Sequence, residues 1–420
     1  MPMHKQRKNR WAAMALPSAA SPHRPVGALA PPPCSVAIIE PVGGHGGMNY
    51  YDFGLCRGLV AAGVTPTLYT CDATEVVPGL PFEVKAEYRG VFGRDPSWQR
   101  GLRYLRGSLR ALIGARIAGN RLAHFHVFQV SVLELFNVVL AKLLLMRVVI
   151  TAHDVEAFRG EWSSLKSWVY GVADCVIAHN LVSHRELVQV LGIPERKIHV
   201  IPHGNYFGDL AHLPPADSAR DKLGLPLDAQ VLLFFGQIKE VKGLDLLLDA
   251  LAVVKVTVPN VLLVIAGKMW GQDFARYQAQ IDRLGLAGHC VAHIRYIADD
   301  EVAAYYAAAD LVVLPYRKIY QSGVILMAMS YGKPVLASNL EGMTEVIDDG
   351  ATGFLFRTED TADLAKQLLS VLADRAGMQR VAANGLALMR DAYAWERIGR
   401  LTAECYAAAL RSTDGQRAAP

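Results

Sequence analysis

The chain has 420 residues, of which 52% are hydrophobic and 20% are charged, and this composition excludes a disordered or low-complexity protein. Its length favours two domains over one. The formal net charge is +4, but residues 1–33 hold five basic and no acidic side chains. The rest of the chain has 38 basic and 39 acidic side chains, so it lacks the widespread positive charge of a nucleic-acid binder.

Residues 1–33 are basic at their start and then rich in proline and alanine, without the continuous apolar run of a secretory signal. We expect a disordered tail, with an over-long gene start as the alternative. No stretch reaches the roughly 18 uncharged apolar residues that a membrane-spanning helix needs. The six cysteines form no CxxC pair. This scatter argues against a disulfide framework or a cysteine zinc site and favours a reducing, cytoplasmic compartment.

Short β-branched runs alternate with longer helical patterns, which predicts βαβ units and parallel sheets covered by helices. In the first half, a helix over about 48–62 ends at Gly63. The predicted strands of this half are 35–41, 64–70, 124–130, 147–154, 173–180 and 197–205.

The same alternation restarts at residue 230 with a strand, a glycine turn and a helix over 230–245. Further strands are predicted over 260–268, 289–296, 309–316 and 333–338, and amphipathic helices over 361–374 and 393–411. The two halves predict an α/β protein with two doubly wound, Rossmann-like domains facing a central cleft.

We expect the chain to divide into six segments. They are a basic tail (1–33), an N-terminal domain (34–205), a linker (206–229), a C-terminal domain (230–390), a helix that packs back toward the N-terminal domain (391–411) and a second tail (412–420).

The first candidate site is the glycine-rich turn VGGHGG (42–47), between a predicted strand and a helix. Glycines let backbone N–H groups approach a ligand, and the helix start adds a positive dipole. The turn lacks the G-x-G-x-x-G spacing of dinucleotide sites. We interpret Gly44, His45, Gly46 and Gly47 as a ligand-approach loop near acceptor or phosphate, with a plain tight turn as the alternative.

Gly236 and Gln237 end the first strand of the second half, and Lys242 follows six residues after Gly236. A lysine at this position could neutralise charge on a departing diphosphate. The alternative is a solvated surface lysine.

Ser322 could cap a later helix, with the first helical amides at Gly323 and Val324 pointing out of its N-terminus. Such a helix start binds anions, although most capped helices carry no ligand. In the first half, His153 and Asp154 follow a predicted buried strand on the cleft side. His153 could donate to a substrate oxygen or titrate near neutrality, with a structural histidine as the alternative.

In their order and spacing, these segments resemble the retaining glycosyltransferases of the GT-B fold, in particular family 4, over about residues 35–410. The family's usual blocks are G-R-x-x-x-x-K-G, A-D-x-x-V-x-P, E-x-F-G-x-x-x-x-E-A-M-A-x-G-x-P-V and G-G-x-x-E-x-V-x-x-G-x-x-G. The segments that carry the likeness here are VGGHGG, TAHD, VIPHGN, FFGQIKEVKGLD, ADLVVLPYRKIYQSGVILMAMSYGKPVLAS and EGMTEVIDDGATGFLF.

The resemblance implies a UDP- or GDP-sugar bound mainly by the C-terminal domain, with its diphosphate at Gly236, Gln237, Lys242 and the helix start at 322–324. It implies an acceptor on the N-terminal domain near the glycine-rich turn and His153. It also implies transfer with retained configuration by same-face attack, in which Lys242 and His153 are the catalytic candidates. No D-x-D sequence is present, so we expect no metal requirement and no further cofactor.

Three residues depart from the family pattern. Ile319 and Met327 stand where the family has two glutamates that contact the donor sugar and ribose, and Gln237 stands in place of an arginine. Lys239 lies on the same turn and could replace that arginine.

Other polar side chains could replace the contacts of the two missing glutamates. The candidate nucleotide and sugar contacts are Arg295, Tyr316, Tyr320, Gln321 and Glu345, with Arg317 in the same loop. Glu345 could instead be an acid that favours the positive end of a helix dipole.

Residues 96–133 contain no acid but six arginines, and leucines recur at helical spacing between them. A basic amphipathic helix over 100–121 is typical of proteins that lie on anionic membrane surfaces. An ordinary solvated arginine face is the alternative. If the membrane interpretation holds, the protein is peripheral on the cytosolic leaflet and its acceptor is lipid-linked.

The sequence therefore predicts a metal-independent glycosyltransferase, with a hexosyltransferase favoured, acting on a glycan or lipid-linked acceptor in the synthesis of exopolysaccharide, lipopolysaccharide or another glycoconjugate. Two alternatives remain open. One is an inactive relative that binds a nucleotide or glycan, and the other is a sugar-nucleotide epimerase on the same fold.

Overall fold

The computed structural model describes residues 34–44, 48–76, 78–153, 163–208, 211–271, 273–319 and 322–411. Both predicted tails lie outside this part of the chain, as do Asp154, Tyr320 and Gln321.

The first lobe alternates strands and helices. Its elements are β1 (Ser35–Glu40), α1 (Met48–Ala61), β2 (Thr65–Cys71), β3 (Glu83–Tyr88), α2 (Ser97–Ile117), β4 (Leu122–Val127), α3 (Val132–Leu143), β5 (Arg147–Ala152), α4 (Ser163–Val172), β6 (Cys175–Ala178), α5 (Leu181–Gln189) and β7 (Ile198–Val200).

The second lobe repeats this pattern, and the described part of the chain ends in three helices. The elements from residue 216 onward are α6 (Ala216–Leu223), β8 (Gln230–Phe235), α7 (Leu244–Thr257), β9 (Val261–Ala266), α8 (Ala275–Arg283), β10 (Cys290–His293), α9 (Asp299–Ala308), β11 (Leu311–Leu314), α10 (Gly323–Ser330), β12 (Val335–Ser338), α11 (Glu341–Thr344), β13 (Phe354–Phe356), α12 (Thr361–Ala373), α13 (Arg375–Asp391) and α14 (Trp395–Arg411).

Each lobe is built on one parallel sheet. The strand order is β3-β2-β1-β4-β5-β6-β7 in the first lobe and β10-β9-β8-β11-β12-β13 in the second. Central strands such as β4 and β9 are buried along their whole length, as expected where helices cover both faces. In each sheet the strand order reverses once, between β1 and β4 and between β8 and β11, and ligand crevices form at such points.

Among the elements that differ from the sequence expectations are two strands and one helix. The edge strands β3 and β13 are additional to the predicted strands. Helix α6 lies inside the predicted linker 206–229 and packs against α9. Because Ala219 is buried in the core of the second lobe while acidic and basic side chains cover the other face of α6, this segment belongs to the second lobe.

The last helix crosses from the second lobe to the first and packs on α1. Glycines make this contact close, since a Cβ atom on Gly399 would collide with the carbonyl group of Gly58. Ile398 and Tyr406 of α14 join the same buried cluster as Val36 and Ile38 of β1. The final helix is therefore part of the core of the first lobe.

Contacts between the lobes involve helix starts. Tyr50, in the first turn of α1, donates a hydrogen bond to Asp299 Oδ2 at the start of α9 (2.5 Å). The carboxylate of Glu345 accepts hydrogen bonds from the N–H groups of Leu181 (2.8 Å) and Val182 (3.2 Å) at the start of α5. Because each of these helices follows a strand, the carboxyl edges of the two sheets face each other across the cleft.

Among the helices of the described residues, none combines the length and the apolar character needed to cross a bilayer.

Candidate functional site

Lys242 lies in a 3₁₀ turn, Glu240–Lys242, between β8 and α7. Its Nζ is 5.3 Å from the centroid of the buried Tyr316 ring. A Cβ atom on Gly236 would lie 3.3 Å from this Nζ and 3.4 Å from a methyl group of Val324. The structure thus brings Lys242, Gly236, Tyr316 and the start of α10 together where the second sheet reverses its strand order.

The backbone around Lys242 requires two left-handed glycines. Gly236 has φ 98° and Gly243 has φ 66°. A Cβ atom on Gly243 would collide with the carbonyl oxygen of Pro315, which follows β11. These glycines let the lysine turn approach the end of β11 closely.

The start of α10 differs from the prediction in one respect. Ser322 occupies the N-cap position, but its buried side chain makes no capping hydrogen bond. The first amides, at Gly323 and Val324, are therefore not occupied by the Ser322 hydroxyl. The Tyr206 hydroxyl reaches this helix start from the segment after β7, since a Cβ atom on Gly323 would lie 2.8 Å from it.

Apolar packing replaces the two family glutamates. Ile319 and Met327 are partly buried against the core cluster of the second lobe. Gln237, in place of the family arginine, is exposed. Lys239 lies over the Trp270 ring, 4.7 Å from its centroid.

Other predicted donor contacts pair with acidic groups or with backbone. Arg295 makes two hydrogen bonds to Glu301, of 2.7 and 2.6 Å. Arg317 makes two to Asp245, of 2.8 and 2.6 Å. Glu345 caps α5 of the first lobe, as described above. Of the predicted sugar loop, Tyr316 is described and lies at Lys242, whereas Tyr320 and Gln321 lie outside the described residues.

The described part of the glycine-rich turn packs on the loop after β2. The Gly44 N–H donates to Thr74 Oγ1 (3.1 Å), and Gly43 has φ 60°. His45, Gly46 and Gly47 lie outside the described residues. The structure therefore places the start of this turn beside β1 but leaves its ligand-approach role a prediction.

A row of histidines lies along the carboxyl edge of the first sheet. His126, His153, His179 and His203 lie at or just beyond the ends of β4, β5, β6 and β7. Successive ring centroids are 5.3, 5.0 and 5.8 Å apart. The Tyr51 ring contacts all four histidine rings at 4.7–5.4 Å.

His153 occupies the second position of this histidine row and stacks on Phe128, with centroids 4.7 Å apart. Burial lowers the pKa of His153 well below its usual value, and the neighbouring histidines lower it further. Its Nε2 is buried with no hydrogen-bond partner among the described residues. At neutral pH, His153 is therefore an uncharged imidazole that could form a hydrogen bond but would not supply a positive charge.

The first histidine of the row lies between two buried carboxylates. His126 Nδ1 is 3.0 Å from Asp52 Oδ1 and 3.4 Å from Glu40 Oε2. Burial acts to lower the pKa of His126, but the two carboxylates raise it to about 9. Burial raises the pKa of Asp52 to about 7. The ligand atoms of these three residues lie within 4.8 Å of one another and could hold a cation, although a protonated His126 already balances charge there.

Sequence reasoning found His153 but missed the rest of the histidine row. A repeated sequence pattern could have revealed the row, because histidine recurs at the ends of four predicted strands. The four segments are HFHV, TAHD, IAHN and IPHG. Because the four strands are neighbours in the sheet, their ends come together. Tyr51 and the buried Asp52 carry no such signal, since only the packing of α1 brings them to the sheet.

A cavity of about 410 Å³ opens beside His126. It lies where the first sheet reverses its strand order and is lined by the ends of β1 and β4, by residues that follow them, by Tyr104 of α2 and by one face of α3. The polar side chains of Tyr104, Glu134 and Asn137 line the cavity. They are linked by hydrogen bonds, since Asn137 Nδ2 donates to the Tyr104 hydroxyl (2.9 Å) and that hydroxyl donates to Glu134 Oε1 (3.2 Å). Asn137 Oδ1 is buried without a partner among the described residues.

Two family models match this chain. Residues 45–204 match Glycosyltransferase Family 4, and residues 216–387 match Glycosyl transferases group 1. The chain is 28% identical over 407 residues to a D-inositol 3-phosphate glycosyltransferase of Nocardioides sp., covering 87% of this chain and 85% of that protein. A protein of the same name from Streptomyces avermitilis is 29% identical over 401 residues, with coverages of 88% and 84%.

Solved structures share the fold at low sequence identity. HepE of Anabaena, in complex with UDP and glucose, superposes with a TM-score of 0.71 at 20% identity and covers 89% of this chain and 100% of its own. Sucrose-phosphate synthase of Thermosynechococcus elongatus gives 0.69 at 21% identity, with coverages of 90% and 100%. The predicted GT-B fold, with two Rossmann-like domains, is therefore confirmed.

Proposed function

We propose that this chain, whose two lobes match glycosyltransferase models, is a group 1 glycosyltransferase that moves a sugar from a nucleoside diphosphate to an acceptor hydroxyl with retained configuration. The matched models and the similarity to named glycosyltransferases support sugar transfer. The observation that carries the proposal is the meeting of Lys242, Gly236 and the start of α10 at the point where the second sheet reverses its strand order.

The donor we propose is a UDP-sugar, with a GDP-sugar as the second choice and a hexose as the sugar. UDP and UDP-glucose bound to the structurally similar HepE support this choice. Lys242 and the amides of Gly323 and Val324 would contact the diphosphate. The chain holds no D-x-D sequence, so we propose transfer without a divalent ion at the diphosphate, and adding Mg²⁺ or Mn²⁺ should not raise the rate.

In the proposed reaction, the bond between the sugar C1 and the diphosphate oxygen breaks while the acceptor oxygen bonds to C1 on the same face. The acceptor proton passes to the departing phosphate. Negative charge therefore grows on the diphosphate in the transition state. The preorganised ammonium group of Lys242 and the start of α10 would stabilise this transition state more than the ground state. That difference would accelerate the reaction.

The decisive variant is Lys242→Ala. Removing a preorganised positive charge from a developing anion should lower kcat by roughly 100- to 1,000-fold. Initial rates are measured with a panel of UDP- and GDP-sugars, with and without acceptor, so that slow donor hydrolysis is also detected. The matched control is Lys366→Ala on the exposed face of α12, which should keep the wild-type rate. Undiminished turnover of Lys242→Ala would contradict the assigned role.

Ile319 and Met327 motivate the second candidate, an inactive relative that binds a nucleotide. Their apolar side chains pack on the core and cannot supply the hydrogen bonds of two glutamates. A thermal shift with UDP or GDP, together with no turnover on any donor, would support this candidate. An epimerised sugar nucleotide formed without acceptor would instead indicate an epimerase.

For the acceptor, we propose a hydroxyl-rich molecule bound in the 410 Å³ cavity beside His126. The linked groups of Tyr104, Glu134 and Asn137 could bind sugar or polyol hydroxyls. The relatives named for D-inositol 3-phosphate motivate testing that acceptor beside glycan and lipid-linked acceptors. Asn137→Ala should raise the KM for the true acceptor several-fold and leave donor hydrolysis unchanged.

We also propose that α2 lies on an anionic membrane surface, which would bring a lipid-linked acceptor to that cavity and make the protein peripheral on the cytosolic leaflet. Five large apolar side chains of α2 are exposed at helical spacing: Trp98 (68%), Leu102 (61%), Leu109 (40%), Ile113 (41%) and Ile117 (82%). Arg106 and Arg110 are exposed on the same helix, which carries no acid. An apolar stripe flanked by arginines favours an interfacial position.

Flotation with vesicles of phosphatidylglycerol and phosphatidylcholine tests this proposal. The wild-type chain should float at low salt, and Ile113→Glu should not, because it places a carboxylate on the inserted face. Val256→Glu, at a 79% exposed position of α7, is the control and should float like the wild type. If the wild-type chain does not associate at low salt, the membrane proposal is wrong, while sugar transfer is judged separately by the Lys242 experiment.

A further inference from the structure

Two thiols and an imidazole from distant parts of the chain meet on one face of the first sheet. Cys175 begins β6, His199 lies in β7, and Cys405 lies in α14. Their sulfur atoms and a ring nitrogen lie within 4.8 Å of one another. His199 pairs with Ile177 across the two strands and so shares a face with Cys175. Helix α14 covers this face of β6.

Two of these three side chains are shielded from solvent. Cys175 is 4% and Cys405 is 0% exposed. Cys175 Sγ lies 3.7 Å from the carbonyl oxygen of Cys405. His199 is half-buried on β7, the last strand of the sheet, so one side of the cluster is reachable from solvent.

The three side chains supply atoms that metal ions bind. The thiolate is the form of cysteine that binds metal ions. Two cysteine sulfurs beside an imidazole nitrogen therefore match the donor set of a soft or borderline metal ion.

We propose that Cys175, His199 and Cys405 bind one Zn²⁺ ion, with water as the fourth ligand on the side of His199. The spacing of the cysteines argued against a cysteine zinc site, because local pairs such as CxxC are the usual signal. Here each ligand comes from a different element, so only the fold brings them together.

Zinc fits the donor set and the distances. Zn²⁺ takes two thiolates and an imidazole in tetrahedral sites, with Zn–S bonds of about 2.3 Å and Zn–N bonds of about 2.0–2.1 Å. Such bonds place the ligand atoms roughly 3.5–4 Å apart. The three atoms, within 4.8 Å of one another, would therefore need to move together by about 1 Å at most.

The ion would fasten the last helix to the sheet. Cys175 and Cys405 are 230 residues apart in the chain, so a metal that joins them holds α14 on β6 and β7. Because metal binds the folded site and not the open chain, it should raise the melting temperature. This role is independent of the proposed sugar transfer, which we assign to the carboxyl edges of the sheets.

The test uses the full-length chain, purified with a phosphine reductant and stripped with a chelator. Titration with Co²⁺ should give the intense thiolate charge-transfer bands of a tetrahedral site, and Zn²⁺ should displace Co²⁺ with a stoichiometry of one ion per chain. Metal content after dialysis is measured by mass spectrometry. A wild-type chain that retains no Zn²⁺ would overturn the proposal.

Variants decide whether these three residues bind the ion. Cys405→Ser, Cys175→Ser and His199→Gln should each weaken Zn²⁺ binding by about 100-fold or more, beyond the loss typical of an outer-shell change. Cys290→Ser, in the second lobe, is the control and should bind as the wild type does. The half-exposed His199→Gln keeps the test valid if a cysteine variant does not fold. Unchanged Zn²⁺ affinity in the three variants would contradict the proposal. A Cys175–Cys405 disulfide that persists in the metal-free chain after purification with the phosphine reductant would also contradict it.

Discussion

At the scale of single residues, Gly243 decides how Lys242 is positioned. It combines φ 66° with a backbone contact to Pro315 that leaves no room for a Cβ atom. Gly224, at the end of α6, has nearly the same φ, 67°, but a Cβ atom added there would meet nothing within 4 Å. Comparing alanine substitutions at Gly243 and Gly224 therefore separates the conformational cost of a left-handed alanine from the cost of a steric collision.

We expect Gly243→Ala to lower the free energy of unfolding by about 2–5 kcal/mol, since left-handed strain and overpacking add. Gly224→Ala should lower it by only about 1–2 kcal/mol. Urea unfolding of both variants checks this difference. Equal losses would mean that the turn at Gly243 can move away from Pro315 freely.

His179 gives a residue-scale prediction about pH. Burial, reinforced by His203, lowers its pKa to about 3, whereas an unfolded histidine has a pKa near 6.5. Below pH 6.5 the unfolded chain therefore takes up a proton that the folded protein does not. The stability that neutral His179 confers is complete above pH 6.5 and is lost as the pH falls toward 3.

His179→Asn removes this difference in proton uptake. Between pH 6 and pH 4.5, its free energy of unfolding should fall less steeply than that of the wild type, by about 1.4 kcal/mol per pH unit. Urea titrations at several pH values measure the two slopes. The exposed His212→Asn is the control, and a wild-type slope in His179→Asn would show that the imidazole titrates in the folded state.

The sequence predicted part of the candidate site and could not predict the rest. The spacing of Gly236, Lys242 and Ser322 within one lobe allowed their meeting to be expected. The position of Glu345 could not be expected, because its partners are backbone groups of the first lobe, 163 and 164 residues away. Contacts across the cleft depend on how two separately folded sheets face each other, and local patterns carry no information about that arrangement.

At the scale of elements, the contact between α1 and α14 depends on glycines that in other helices would only weaken the fold. Gly399→Ala places a methyl group against the carbonyl group of Gly58. We expect a loss of about 1–3 kcal/mol from this overpacking, measured by thermal unfolding with circular dichroism.

The matched change is Gly114→Ala in α2, where nothing lies within 4 Å of a new Cβ atom. Alanine restricts the unfolded chain and favours the helix, so this variant should gain about 0.5–1 kcal/mol. If Gly399→Ala were also stabilising, the two helices would not pack as closely as the structure shows.

Strong periodicity made most elements predictable, and weak periodicity explains the exceptions. The buried strands β8 and β9 are continuous apolar runs, which local reasoning detects. The edge strand β3, with sequence EVKAEY, is mostly half-exposed and resembles a polar loop. Strand β13 has only three residues. Short and half-exposed strands are recognised through their neighbours in the sheet rather than through their own composition.

At the scale of the whole molecule, a few polar contacts hold the two lobes together over the cleft. The Glu345 carboxylate binds two free N–H groups of α5, and Arg185 pairs with Glu341 beside it. Hydrogen bonds to a charged acceptor contribute about 1.5–3 kcal/mol. The Glu345 contact therefore adds to the contacts that hold the lobes together.

Hydrogen exchange tests this role of Glu345. In Glu345→Ala, the amides of Leu181 and Val182 should exchange roughly tenfold faster or more, because they lose a charged acceptor. Glu341→Ala removes only the ion pair with Arg185 and should leave these two amides protected. Equal protection in the wild type and in Glu345→Ala would show that the carboxylate does not hold the lobes.

The position of α14 has a consequence for biosynthesis. A ribosome delivers β1–β7 long before it delivers residues 395–411, yet Ile398 and Tyr406 fill the core beside β1. Throughout translation of the second lobe, the emerging first lobe therefore presents an uncovered apolar groove on α1 and the sheet. We expect chaperones to recognise this groove on nascent chains, and early truncation to yield a product that aggregates.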